Sequence, residues 1–320
     1  MKRAAHLSYF LLFTFCLGLN NAKADEGMWI AMLLKRMNEG DMQAKGLKLS
    51  ADEIYAINQS SLKDAVVQFD GGCTGEIIGR DGLLLTNHHC GYDNIQSHSS
   101  MQNNYIDNGF WAMNRSQELK NPGTVATFLV RMEDVSQKVQ EAIANGKPAT
   151  ERDREAIVQQ ISKDLAAKAV EGTHYEAFVR PFFYGSEYYL FVNETFKDIR
   201  LVGAPPAGIG KFGGDTDNWV WPRHTGDFSL FRIYTGPDGK PAETADNNIP
   251  LKPKRFFKLN LTGLKEGDFT MVMGYPGRTQ QYLPSYGIEH LLTRSYPYKV
   301  GLRTRRLNML DSAMRANKEV

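Results

Sequence analysis

Two adjacent histidines carry the clearest chemical signal in this sequence. His88 and His89 lie between Asn87 and Cys90. An imidazole takes up and releases protons near neutral pH, so either side chain could serve as a general base. If the chain is extended here, successive side chains point to opposite faces, and only one of the two rings can serve a given site.

A carboxylate that could pair with an imidazole occurs much later in the chain. Asp227 directly precedes a mostly apolar run, residues 228–234. A carboxylate at the start of a buried strand needs a polar partner, and an imidazole N–H is a suitable one. An Asx turn at the strand entry is the alternative interpretation. Asp215 and Asp217 are weaker candidates, because they lie in a glycine-rich stretch that we expect to be a loop, residues 203–221.

A predicted β-hairpin positions the histidines. Residues 74–79 and 83–87 are expected to form its strands, and the turn between them ends at Gly82, since glycine tolerates the positive φ of a tight turn. Cys73 and Cys90 flank this hairpin and could meet across it. In an exported protein we expect them to form a disulfide, with two buried free thiols as the alternative.

The remaining pattern predicts a mainly β chain with helical insertions. A helical excursion is expected over residues 134–171, and the pattern becomes helical again from residue 285. Further strands are expected at residues 125–132, 177–183, 188–192, 198–202, 228–234 and 269–273.

The hairpin sequence resembles a known family. The string Gly-Arg-Asp-Gly-Leu-Leu-Leu-Thr-Asn-His-His-Cys-Gly-Tyr, residues 79–92, is similar to the S46 family of bacterial dipeptidyl peptidases, which are chymotrypsin-related serine exopeptidases. In chymotrypsin-like peptidases the catalytic histidine immediately precedes a disulfide-bonded cysteine. The resemblance therefore implies that His89 is the general base, with Asp227 orienting it.

The resemblance also implies a domain organisation. Residues 25–284 would be the N-terminal part of a chymotrypsin-like peptidase domain, with the first barrel and the start of the second barrel of a double β-barrel. Residues 285–320 would begin an inserted α-helical domain.

A second motif resembles the same family. The string Gly-Gly-Asp-Thr-Asp-Asn-Trp-Val-Trp-Pro-Arg-His covers residues 213–224. In the family, the matching Asn and Trp bind the free N-terminal amine of the substrate. This implies that Asn218 and Trp219 bind the substrate N-terminus, whereas we expect Trp221 to be a buried core residue.

A suitable nucleophile is missing from the sequence. No serine has the Gly-Asp/Asn-Ser-Gly surroundings of a chymotrypsin-like nucleophile, and the nearest candidate, Ser186, fits poorly. In the family the catalytic serine lies far toward the C-terminus. We therefore expect this chain to be the N-terminal portion of a larger Ser-His-Asp dipeptidyl peptidase that releases dipeptides from oligopeptide N-termini, with the nucleophilic serine outside this chain and the chain alone inactive. The alternative is a non-catalytic exported peptide-binding protein derived from a peptidase.

Residues 1–24 read as a secretory signal peptide. A basic start, Lys2 and Arg3, precedes an apolar run that is too short to span a bilayer, and small residues follow it. The mature protein is therefore expected in the periplasm, at the cell surface or outside a bacterial cell, without a membrane span.

Net charge and side-chain spacing limit the classes of ligand and partner that we expect. Loss of Lys2, Arg3 and Lys23 would reduce 38 basic residues to 35, against 36 acidic ones, for a net charge of −1, which gives no reason to expect nucleic acid. We expect oligopeptides with a free N-terminus, a possible homodimer and no cofactor. A metal site built on His88, His89, Cys90 and His98 is disfavoured, because adjacent ligands turn poorly toward one ion.

Overall fold

One large antiparallel β-sheet organises the protein. The computed structural model describes residues 28–277 and 283–316, without the side chains of Asp215 and Trp219. The strands are β1 (Val66–Phe69), β2 (Cys73–Ile77), β3 (Leu83–Thr86), β4 (Phe110–Trp111), β5 (Leu119–Lys120), β6 (Ala126–Asp134), β7 (Glu176–Phe182), β8 (Glu187–Phe196), β9 (Asp198–Ala204), β10 (Ser229–Thr235) and β11 (Ile249–Pro250). The predicted mainly β architecture with helical insertions is confirmed.

The strand order brings distant segments together. It runs β4-β9-β10-β3-β2-β1-β6-β8-β7, with β5 beside β9 and β11 beside β10. The predicted hairpin forms as β2 and β3, and β3 also pairs with β10, so that Thr86 lies opposite Ser229. The two end strands of this order, β4 and β7, do not pair with each other in the described part of the chain. The sheet is therefore not the closed barrel that the resemblance implied.

The main core lies on one face of the central strands. Alternate apolar side chains of these strands point into it, as the two-residue period of a half-buried sheet requires. Its fully buried members include Phe69, Ile77, Leu84, Ile199 and Phe231.

Helices precede, connect and follow the strands along the chain. They are α1 (Leu34–Met37), α2 (Glu39–Ala44), α3 (Ala51–Ile54), α4 (Tyr92–Ser97), α5 (Tyr105–Asn108), α6 (Ser136–Gly146), α7 (Glu151–Val170), α8 (Ala207–Gly210), α9 (Gly214–Trp219), α10 (Ser285–His290) and α11 (Tyr296–Ala316). Single 3₁₀ turns occur at Ala31–Leu33, Leu62–Ala65, Arg115–Gln117 and Phe183–Gly185, and a π-helical segment covers Leu291–Ser295.

The predicted helical excursion consists of α6 and α7. Thr150 caps α7 in a capping box with Asp153, which satisfies main-chain N–H groups of the first turn. Apolar residues of both helices, such as Val139 and Ile161, pack on Leu190 and Val192 of β8. The insertion thus covers one end of the sheet, away from the hairpin.

Two expectations about local structure were wrong. The stretch 203–221 is not a plain loop, because it contains α8 and α9. Residues 269–273 form no strand in the described part of the chain. Phe269 and Met273 instead pack against the small apolar cluster of α1 to α3, so side-chain burial replaces the pairing that a strand would need.

The chain divides into two compact units, one through Tyr275 and one from Pro276 onward. The first contains the sheet and the second contains α10 and α11. The assignment of residues 25–284 to a peptidase domain and of residues 285–320 to the start of a helical domain stays a prediction.

The signal-peptide prediction for residues 1–24 lies outside the described residues. Across the two described ranges, no helix is both long and apolar enough to cross a bilayer.

Candidate active site

The end of β3 delivers both histidines to the edge of the core. Thr86 anchors this strand end, because its hydroxyl donates a hydrogen bond to the main-chain oxygen of Thr74 at 2.8 Å. Beyond it the chain turns, and the N–H of Gly91 donates to the carbonyl of Asn87. Cys90 forms a disulfide with Cys73, with 6.2 Å between the two Cα atoms. The hairpin is therefore closed covalently beside His89.

His89 and Asp227 form a two-point contact. The Nδ1 atom of His89 lies 2.7 Å from Oδ2 of Asp227, and the main-chain N–H of His89 donates to Oδ1 at 3.1 Å. The Asp227 side chain is 17% exposed and the His89 side chain is 59% exposed. With Nδ1–H directed at the carboxylate, Nε2 is left as the proton acceptor on the open side of the ring.

His88, the rival candidate, lies on the other side of the chain. Its side chain is buried, and its Nε2 has no hydrogen-bond partner among the described residues. Burial lowers the pKa of His88 below its ordinary value of 6.5, and the negative charge of Asp227 opposes that effect only in part. A buried neutral ring of this kind cannot meet a substrate in solution.

Gly210 of α8 packs directly against the His88 ring. A Cβ atom built on Gly210 would lie 2.4 Å from Cγ and Cδ2 of that ring, a distance at which one of the two groups must move. On another side the ring makes an edge contact with Tyr92, 6.2 Å between ring centroids. The chain after β3 is thus packed closely against α8 through the His88 ring.

Asn87 supports Asp227, and sequence reasoning missed it. Its Nδ2 group lies 3.2 Å from the main-chain oxygen of Asp227 and 3.2 Å from its Oδ2. Asn87 is held in turn, because the buried hydroxyl of Ser229 donates to its carbonyl at 2.8 Å. The one sign of this role in the sequence is that Asn87, a short amide side chain, directly precedes the two histidines.

The predicted amine-binding residues lie on α9. Asn218 is exposed near the C-terminal end of this helix, and Trp219 ends it. Asp217, considered a rival partner for the histidine, instead contacts His224, with Oδ1 and Nδ1 3.0 Å apart. The other rival, Asp215, also lies on α9, and its side chain is not described.

Trp221 is not the buried residue that the sequence suggested. Its side chain is 84% exposed. The loop that carries it leaves the end of α9 and returns to Asp217 through His224 and Thr225, so it is held at its ends and runs over the surface.

The remaining candidate side chains are occupied elsewhere. The Ser186 hydroxyl donates to the carbonyl of Phe183 at 2.6 Å, in the turn between β7 and β8. His98 contacts Asn121, with Nε2 and Oδ1 3.0 Å apart. Both sulfurs near His89 belong to the disulfide, so neither is a thiolate that could bind a metal ion.

The described residues thus combine a mainly β fold with a histidine–aspartate pair at a disulfide-closed hairpin. A family model described as Peptidase S46 matches residues 24–320. The chain belongs to this family.

Curated relatives match over almost the whole chain. An Asp/Glu-specific dipeptidyl-peptidase of Flavobacterium psychrophilum is 49% identical over 314 residues, which is 98% of this chain and 44% of the relative. Dipeptidyl-peptidase 7 of Capnocytophaga gingivalis is 47% identical, over 98% of this chain and 43% of the relative. This chain therefore spans less than half the length of these relatives.

Solved structures show the same fold. The crystal structure of Porphyromonas endodontalis DPP11 in complex with the dipeptide Arg-Glu matches with a TM-score of 0.82 and 42% identity, over 92% of this chain and 43% of that one. The complex of the same protein with Arg-Asp gives the same TM-score and identity.

Proposed function

We propose that this chain carries the histidine–aspartate part of a serine-type dipeptidyl peptidase. The observation that carries the proposal is the two-point contact of Asp227 with His89, 2.7 Å to Nδ1 and 3.1 Å to the main-chain nitrogen. The family membership supports it, as do relatives that are named dipeptidyl-peptidases.

In the proposed reaction, His89 moves a proton twice. Its Nε2 takes the proton of a serine hydroxyl while the serine oxygen attacks the carbonyl carbon of the second peptide bond. It then returns the proton to the leaving amine, and a dipeptidyl ester remains on the serine. Water attacks that ester with His89 again as base, which releases the dipeptide and restores the hydroxyl.

Asp227 keeps His89 ready for these transfers. A carboxylate on Nδ1–H fixes the tautomer in which Nε2 can accept a proton, and it stabilises the imidazolium that forms. The main-chain contact to His89 adds a second fixed point, so the ring and its backbone are oriented by one side chain.

The nucleophile is proposed to come from sequence that this chain does not contain. No serine in the chain has suitable surroundings, and Ser186 already donates its hydrogen bond within its own turn. The substrate's free amine is proposed to bind Asn218 and Trp219, because their motif resembles the amine-binding segment of the family. An exopeptidase needs such a site, since it must stabilise an ammonium group and exclude a longer chain.

Peptide cleavage by the full-length protein, meaning the product of the whole gene, tests this function. A peptide with a free N-terminus and its N-acetylated form are incubated with the protein, and the products are identified by mass spectrometry. We expect dipeptides from the free peptide alone. Equal cleavage of both peptides, or none of either, would contradict the proposal.

A further inference from the structure

Asp217 accepts three hydrogen bonds from one short segment. Its Oδ1 lies 3.0 Å from Nδ1 of His224, and its Oδ2 accepts the main-chain N–H groups of His224 at 2.8 Å and Thr225 at 3.0 Å. The Asp217 side chain is only 10% exposed, whereas the His224 side chain is 63% exposed. One buried carboxylate therefore closes the loop between α9 and β10.

The two ends of this loop carry different parts of the proposed site. Asp217 directly precedes Asn218, and Thr225 lies two residues before Asp227. The contact thus joins the segment with the proposed amine-binding residue to the segment with the proposed catalytic carboxylate.

A neighbouring turn reinforces the same connection. The main-chain oxygen of Ile209, in α8, accepts hydrogen bonds from the Thr225 hydroxyl and from the N–H of Gly226, both at 3.0 Å. Residues 224–226 are thereby attached to both short helices. A helix of one or two turns is not stable alone, so α9 depends on such contacts for its position.

The geometry at Asp217 resembles that at Asp227. Each carboxylate contacts both the ring Nδ1 and the main-chain N–H of a single histidine. The hydrogen bond from the His224 ring, followed by the one from its main chain, lowers the pKa of Asp217 below its ordinary value. The carboxylate is therefore charged at neutral pH and keeps all three of its contacts.

We propose that Asp217 is a positioning residue that fixes Asn218 relative to Asp227, an inference that rests on the proposed function. Asn218 can hold a substrate ammonium at the correct distance from the scissile bond only if α9 keeps its place on the loop. Asp217 contributes by holding the loop, and it need not touch the substrate.

The test compares two substrates that differ at one group. One is a peptide with a free α-amino group, and the other is the same peptide with an α-hydroxyl in place of that group. The hydroxyl analogue cannot make the charge-assisted contact to Asn218. Its kcat/KM therefore measures the cleavage reaction without the contribution of amine binding. Asp217→Ala, Asp217→Asn and His224→Ala are measured in the full-length protein.

We expect Asp217→Ala to lower kcat/KM for the amine substrate by roughly 10- to 100-fold, mainly through KM, because a hydrogen bond to a charged group is lost from its correct geometry. The kcat/KM of Asp217→Ala for the hydroxyl analogue should fall by no more than about threefold, which is the range of a small effect from a surface substitution. His224→Ala keeps both main-chain contacts, and Asp217→Asn keeps a carbonyl acceptor, so both should fold and give intermediate losses.

Asp153→Asn is the matched control. Asp153 also accepts a main-chain N–H, that of Thr150 at 3.0 Å, but it does so at the start of α7. Asp153→Asn should leave the ratio of kcat/KM between the amine substrate and the hydroxyl analogue unchanged.

The outcomes separate the two proposals. An equal loss on both substrates in His224→Ala and Asp217→Asn would overturn the positioning role while the proposed function stands. Failure of the unmodified full-length protein to release dipeptides would overturn the proposed function and this inference together.

Discussion

Asn87 contacts Asp227 twice, through the main-chain oxygen at 3.2 Å and through Oδ2 at 3.2 Å. The same Oδ2 faces Nδ1 of His89. One amide side chain therefore fixes both the backbone and the carboxylate of Asp227, the residue that we propose orients His89.

Asn87→Ala should slow the proposed reaction without unfolding the protein. We expect kcat to fall by about 10- to 100-fold in the full-length protein, because the carboxylate loses a hydrogen-bond donor and its angle to His89 is no longer fixed. Steady-state kinetics on a free peptide measures the change. Asn260→Ala is the control, since Asn260 likewise donates to a main-chain oxygen, that of Gly263, on an exposed turn. A kcat unchanged in Asn87→Ala would remove Asn87 from the site.

Two glycines of α8 should respond differently to alanine. A Cβ on Gly210 would meet the buried His88 ring at 2.4 Å, whereas a Cβ on Gly208 would have no atom within 4 Å. We expect Gly210→Ala to lower the free energy of unfolding by about 1–3 kcal/mol through overpacking. Gly208→Ala should be neutral or stabilising by up to about 1 kcal/mol, since alanine favours a helix more than glycine does. Urea unfolding distinguishes them, and equal effects would show that His88 is not closely packed.

His88 should make stability depend on pH. Its pKa is lowered by burial in the folded protein, so the unfolded chain binds more protons once the pH falls below the ordinary histidine value of 6.5. The free energy of unfolding should therefore be highest above that value and should decrease as the pH falls below it. His88→Gln cannot take up this proton and should show a shallower decrease.

The measurement is urea unfolding of both proteins from about pH 8 to about pH 5. The other histidines are common to both proteins, so the difference in slope reports His88. Identical slopes would contradict the buried neutral state of this ring.

Parts of this site could be predicted from the sequence because they depend on local patterns. The hairpin around Gly82 follows from turn chemistry. Its strand bounds differ from the prediction by one residue at each outer end and by two residues at the turn-side end of the first strand. The placement of Asp227 at a strand entry follows from the apolar run after it. Both are properties of short segments, so one sequence suffices to predict them.

The contacts that hold the site together could not be predicted in this way. Asn87 and Asp227 are brought together by the pairing of β3 with β10, whose register no local pattern specifies. Gly210 matters only because a buried ring packs against it. Short helices such as α8 and α9 are stabilised by these tertiary contacts, so a glycine-rich sequence gave little sign of them.

The failed strand at residues 269–273 has a related cause. Its apolar residues satisfy the composition of a strand, but a strand also needs a partner to accept its main-chain hydrogen bonds. In the described part of the chain Phe269 and Met273 bury their side chains against the cluster of α1 to α3. Composition alone cannot distinguish these two ways of burying apolar residues.

The most direct test of the central claim is dipeptide release by full-length His89→Ala. If His89 is the base, kcat/KM should fall by at least about 10³-fold, the scale of losing a triad member in a serine peptidase. His174→Ala is the matched control, because His174 also pairs with a carboxylate, Glu194 at 2.6 Å, on the part of the sheet formed by β7 and β8. It should retain activity. A His89→Ala protein that keeps activity within about tenfold of the unmodified protein would contradict the proposal that His89 is the general base.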